Sequence, residues 1–267
     1  MYETRLQLGE GSVTSRVMYL AKSAALLFGT LLMTGMSAFS QKPNVPNGPA
    51  PRLADGKPDL NGVWQRPYVP DITKNGPGQQ GVPELSFTPW GEENWKSYDP
   101  AKNGDYTGSC LPFGLLRSIN SPHAMQIVQS AKYVALLFEQ NTWFHVIPID
   151  GREHPQDLDS TWFGNSVGKW NGDKLVVDTI GFNGQTRLDT VGHPHSDAMH
   201  VVETFERADA GHITYTVTVD DPKTYTKPWK NVRTFTLRPD WEILEYSCEE
   251  NNKDLREGHI KAPASAK

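Results

Sequence analysis

The stretch SVGKWNGDKLVVDTI, residues 166–180, decides the fold class. Two strand-like runs flank Asn171-Gly172, and Asn-Gly between alternating apolar residues is the strongest short-range sign of a two-residue hairpin, here read as type I′. Outward from this hairpin the pattern stays β. Upstream, AMQIVQ and KYVALLFE lead to TWFHVIPI, with Glu139, Gln140 and Asn141 as a turn. Downstream, HITYTVTV alternates Ile213, Tyr215, Val217 and Val219 against Thr214, Thr216 and Thr218, as a half-buried strand does. NVRTFTLRP and EILEYSCEE read as two further strands, separated by a turn at Pro239-Asp240.

No segment carries a helical period of any length. About eight or nine antiparallel strands joined by short turns must close on themselves or pair face to face to hide their edges. The expected fold is therefore an all-β antiparallel barrel, with a β-sandwich as the alternative. In LNGVWQR, residues 60–66, the run Gly62-Val63-Trp64 is similar to the lipocalin signature. That resemblance implies a lipocalin/calycin-like barrel plugged at one end by Trp64.

The 267 residues, 37% of them hydrophobic and 10% aromatic, are enough for one well-filled core. A net charge of -5 leaves no basic footprint, which argues against nucleic acid as a partner. Residues 1–40 read as a signal peptide: Arg5, Arg16 and Lys22 precede the apolar run AALLFGTLLMTGMSAF, and small residues follow before Gln41. Met18 is an equally good start. The remainder divides into a Pro/Gly-rich N-terminal arm holding the first strand (41–115), the β-barrel domain (116–250) and a polar tail (251–267). No later run is apolar enough to span a membrane, so the mature chain is expected to be periplasmic or secreted. In such a compartment Cys110 and Cys248 form a disulfide, whose long loop the chain-entropy model values at roughly 4 to 5 kcal/mol.

Chemistry concentrates in TVGHPHSDAMHVVETFE, residues 190–206, which holds His193, His195, Asp197, His200 and Glu203 in a chain with eight histidines. If residues 192–198 are extended, His193, His195 and Asp197 share a side, and a turn near residues 196–199 is needed before His200 joins them. From His200 the run offers two faces, His200/Val202/Thr204 and Val201/Glu203/Phe205. Imidazoles and carboxylates at this density suit two chemistries. His193, His195 and His200 can hold a divalent metal such as zinc. Without a metal, His195 serves as general base, Asp197 orients it, and His200 and His123 supply further acid or base groups. Trp143, His145, Arg152 and Trp162 are candidates for holding substrate, and Asp157 and Asp159 form either a carboxylate pair or ordinary turn chemistry. The formal G-x-S-x-G at residues 164–168 lies in a hairpin, not before a helix, so a nucleophile elbow is not expected.

The motifs PHAMQIVQ, NTWFHVIPIDGREHP, GNSVGKWNGDKLVVDTIGFN, GHPHSDAMHVVETFER and DDPKTYTKPW resemble those of an uncharacterised group of secreted proteins from soil and aquatic bacteria. The resemblance covers residues 53–254 and brings no activity with it. It implies that His123, Arg152, His154, Asp189, His193, His195, Asp197 and His200 belong to one recurring pattern. Together these readings describe a small-molecule-binding barrel that is an enzyme of hydrolysis, elimination or isomerisation; the alternative is a noncatalytic, lipocalin-like carrier of an apolar or aromatic ligand. No motif for a nucleotide or c-type haem is present. Convergence of His123, His145, His195 and His200 on one cavity would favour an enzyme built on that constellation, and their dispersal would sink that constellation.

Overall fold

The computed structural model describes residues 44–103, 105–250, 252, 253 and 257. The expected signal peptide and most of the polar tail lie outside them. The strands are β1 (Gly62–Gln65), β2 (Gln79–Gln80), β3 (Met125–Gln129), β4 (Tyr133–Phe138), β5 (Phe144–Pro148), β6 (Asn165–Asn171), β7 (Lys174–Ile180), β8 (His200–Arg207), β9 (His212–Asp220) and β10 (Trp229–Leu237). They form one antiparallel sheet in the order β5-β4-β3-β1-β10-β9-β8-β7-β6, with β2 added beside β10. The sheet curls into a nearly closed barrel, as expected, and β5 and β6 come to lie side by side without a ladder between them.

Side chains close that seam. Gly168 on β6 leaves room for Ile147 and Ile149, whose Cγ2 atoms lie 2.9 and 2.8 Å from where a Cβ on residue 168 would sit. Both methyls belong to stiff β-branched side chains, so they cannot swing away. Gly168→Ala is therefore expected to cost about 1–2 kcal/mol by overpacking the seam, although alanine in an open strand position is favourable. A fall in the urea midpoint with an unchanged m value checks this. A midpoint at or above the parent's would mean that the seam is loose.

The β6–β7 hairpin forms one residue later than the Asn171-Gly172 reading. Asn171 pairs with Lys174, which makes Gly172 and Asp173 the central residues. Gly172 alone takes a positive φ, 61°, so glycine occupies the first central position, as a type II′ loop prefers. The EILEYSCEE segment also departs from expectation: residues 241–247 make no ladder, because β10 is already flanked by β9 on one side and by β1 and β2 on the other. The disulfide Cys110–Cys248 instead ties this segment to the arm across 138 residues.

The two faces of β7, β8, β9 and β10 separate cleanly. Val201, Glu203, Phe205, Ile213, Tyr215, Val217, Val219 and Phe235 point inward with at most 1% exposure, so Glu203 shares the inner face of β8 and His200 the outer. Trp64 is fully buried. Its indole Nε1 donates to the Leu60 carbonyl at 3.0 Å, and the Arg207 guanidinium lies over its ring.

The arm is more regular than its Pro/Gly content suggests. Helix α1 (Pro89–Lys96) starts because Thr88 accepts from the Gly91 amide and Pro89 needs no partner for its nitrogen; α2 (Pro100–Asn103) and α3 (Leu115–Asn120) follow. Antiparallel pairing brings the ends of β1, β4, β7 and β9 to the same end of the barrel as the starts of β3, β5, β6, β8 and β10. The connections 181–199 and 221–228, helix α3 and the 139–143 turn are therefore gathered at that end.

Candidate functional site

The histidine-rich connection is built on two buried carboxylates. Asp189 accepts from the amides of Ile72, Gly192 and His193 and, at 2.6 Å, from His193 Nδ1. Trp95 of α1 stacks on the His193 ring at 4.8 Å, and both His193 and Asp189 are at most 1% exposed. Asp221 takes the amide and hydroxyl of Ser196 and of Thr224. The expected turn after Ser196 is present, closed by the Ser196 hydroxyl accepting from the Ala198 amide. His195 donates from Nδ1 to the Ser196 carbonyl at 3.0 Å and accepts at Nε2 from the Thr186 hydroxyl at 2.6 Å. Burial holds its imidazole below the ordinary value despite the bond to Ser196. Both ring nitrogens are thus spoken for, and the ring is 3% exposed.

These bonds correct two expectations. Asp197 does not orient His195: it is exposed and pairs with Lys223 at 3.0 Å, while a backbone carbonyl sets the His195 tautomer. Nor do His193, His195 and His200 make a metal triad, since they turn to Asp189, Thr186 and Asp178 respectively. Among the described residues, Asp71, Asp189 and His193 bring candidate ligand atoms within 4.8 Å of one another. Both Asp189 oxygens and Asp71 Oδ1 already serve the turns around them, Asp71 Oδ1 accepting from the Thr73 amide and hydroxyl.

An accessible cluster of two histidines and one carboxylate lies on the outer face of β7 and β8. Asp178 receives His154 Nε2 on one oxygen at 2.9 Å and His200 Nε2 on the other at 2.8 Å. The side chain of His200 is 42% exposed and that of Asp178 40%. His154 arrives from the 149–164 connection and meets the Asn165 amide oxygen through Nδ1 at 2.8 Å. Burial pulls the Asp178 carboxyl upward, but the hydrogen bonds from His200 and His154 outweigh it and hold the group below the usual carboxylate value. Because Asp178 takes the Nε2 proton, His200 keeps a lone pair on Nδ1, the atom left for an external proton.

Inside the barrel a second polar chain runs from His145 Nε2 to the Ser166 hydroxyl at 2.8 Å and on to Thr179 at 2.6 Å. Burial pushes His145 down to about 4. His145 and Ser166 are each 4% exposed, and Ser166 sits within a strand, so the G-x-S-x-G run forms no nucleophile elbow. Deeper, Tyr215 donates to Glu203 Oε1 at 2.7 Å, while Glu203 Oε2, Arg233 Nη1 and Arg66 Nε have no partner.

The other expected residues scatter. His123 faces Glu139 at 3.6 Å and the Tyr246 ring. Arg152 is exposed, paired with Asp150 and reaching the Tyr133 hydroxyl at 3.2 Å. Trp143 and Trp162 are half-buried, Trp143 against Phe163. His123, His145, His195 and His200 therefore do not converge on one cavity; each is held by its own partners.

No family model and no curated protein matches this chain. The site is thus read from geometry alone. Of its members, His154 and His200 stand out in the sequence, whereas Asp178 and Asn165 look like ordinary strand residues. Their role follows only from register: Asp178 pairs with Val202, which puts His200 on the same face two residues away.

Proposed function

We propose that the protein is an exported β-barrel enzyme that uses His200, Asp178 and His154 for proton transfer in the hydrolysis, elimination or isomerisation of a small organic substrate. The observation that carries this reading is the Asp178 carboxylate held between two imidazole Nε2 atoms at 2.9 and 2.8 Å on an accessible face. A carboxylate that fixes the tautomer of an exposed histidine and stabilises the imidazolium formed when it takes a proton is the arrangement general base catalysis needs. His200 Nδ1 abstracts the proton, either from water or from the substrate carbon. Asp178 keeps Nε2 protonated throughout, and His154 keeps Asp178 ionised. Export is supported by the disulfide, which persists in oxidising compartments. Among the described residues no helix is long and apolar enough to cross a membrane.

The test is turnover of a panel of small esters, lactones and β-elimination substrates by the parent and by His200→Gln. Loss of about 10²–10⁴-fold in kcat is expected, with the far-UV spectrum unchanged. Asp178→Asn should follow His200→Gln, because the amide can leave the wrong tautomer in place. Full turnover by His200→Gln on any substrate the parent accepts would end this reading.

A further inference from the structure

Residues 70–72 of the arm and 189–193 of the connection between β7 and β8 are stitched together around one group of ligand-type side chains. The amides of Thr190 and Val191 both donate to the Pro70 carbonyl, and the Ile72 amide donates to Asp189 Oδ2 at 2.8 Å. These bonds gather Asp71, Asp189 and His193 so that one ligand atom from each lies within 4.8 Å of the other two. Asp189 and His193 are buried, whereas Asp71 is half-buried and leaves the group reachable from solvent. A recess of about 200 Å³, lined by Val69, Asp189 and Thr190 among others, borders the same two segments.

The charges and the uncommitted atoms of this group call for a cation. Two carboxylates share the space, and among the described residues no lysine or arginine pairs with either; Asp189 has only His193. Asp71 Oδ1 is spent on Thr73, and Asp189 Oδ1 on the amides of Gly192 and His193. Asp71 Oδ2 accepts no hydrogen bond among the described residues. Asp189 Oδ2 meets His193 Nδ1 at 2.6 Å through one proton, and an ion that displaces this proton gains a nitrogen and an oxygen ligand at once. Trp95, stacked on the imidazole at 4.8 Å, holds the ring in place. Ligands in a tetrahedron around zinc, with bonds near 2.1 Å, stand about 3.4 Å apart, so shifts of about 1 Å close the group on an ion. We propose that Asp71, Asp189 and His193 bind one divalent transition-metal ion of the zinc class, with a fourth position for water. An imidazole nitrogen beside carboxylate oxygens selects zinc and its first-row neighbours over magnesium, which keeps most of its own water. The proposal is independent of the acid–base reading of His200.

Zinc and magnesium chlorides, titrated into the chelator-treated parent protein, Asp71→Asn and His200→Gln, provide the test, with binding followed by calorimetry and by amide chemical-shift mapping. Asparagine at position 71 removes the charge but keeps an oxygen for the Thr73 turn, and an unchanged far-UV spectrum checks that the variant folds. One equivalent of zinc is expected to bind the parent with roughly micromolar affinity, and magnesium about a hundredfold more weakly or less still. Asp71→Asn should weaken zinc by about tenfold or more, because loss of even an outer-shell partner costs that much, whereas His200→Gln should leave it unchanged. The perturbed amides should centre on residues 70–73 and 189–193, and this map in the parent decides the matter by itself if Asp71→Asn misfolds. Three outcomes overturn the proposal: no saturable zinc binding, equal affinity in a folded Asp71→Asn, or shifts centred elsewhere. Loss of the zinc in His200→Gln overturns it as well, because the ion would then sit on the outer face.

Discussion

Glu203→Gln is expected to leave stability almost unchanged near pH 4 and to make the protein about 3 kcal/mol more stable than the parent near pH 8. The carboxyl is fully buried, and burial pushes it up to about 7 against the opposing influence of the Tyr215 hydroxyl and Arg233. Its unfolded value is the ordinary 4.5. Between those values the folded state binds the proton more tightly, so the contribution is fully present below the unfolded value and is lost as pH rises through the folded one. Glutamine mimics the protonated side chain and has nothing to lose.

His145 works in the opposite direction. Burial lowers it to about 4 from an ordinary 6.5, so its contribution is present above the ordinary value and is lost as pH falls toward 4. In the parent the two dependences nearly cancel across the mildly acid range, whereas Glu203→Gln exposes the rise due to His145 alone. Urea unfolding of both proteins across this range measures the difference. Parallel curves would show that Glu203 ionises in the fold as readily as in water.

Removing the disulfide with Cys110→Ser/Cys248→Ser should lower stability by about 4–5 kcal/mol, the upper end for a cross-link, because the bridge closes a very long loop. The 138-residue separation encloses all of the barrel except β1 and β2, so the restriction acts on the unfolded chain as a whole. The effect is also local. Residues 241–247 have no ladder partner, and without the bond little backbone pairing keeps them beside the arm. Comparison of urea midpoints for the oxidised parent and the double variant decides this, and equal midpoints would mean that the bridge adds nothing the fold does not already have.

The opening cluster of histidines shows how a dense motif can divide. His193 and His195 turn inward to Asp189 and Thr186 and hold the connection in shape, while His200, five residues beyond His195, starts a strand on the outer face. Asp197 stays in solvent with Lys223. Sequence spacing measures distance along the chain, but the partners lie within the same connection for His193 and His195 and up to 26 residues away on other elements for His200 and Asp197. Helix α1 was legible in principle, through Thr88-Pro89 at its start, yet it was hidden in a segment where proline and glycine suggested loops throughout.

By itself, the sequence determined most of the strands, though not β2 and not the absence of a strand in EILEYSCEE. It also determined the buried alternation of β9, Trp64 as a core residue and the pairing of Cys110 with Cys248. Each of these rests on local periodicity, on composition or on there being a single possible partner. Tertiary structure alone decided which face of β8 is inside, where the β6–β7 turn falls, and that Asp178, not Asp197, is the carboxylate that meets His200. Those outcomes depend on register between strands, and register is settled by packing the whole inner face at once.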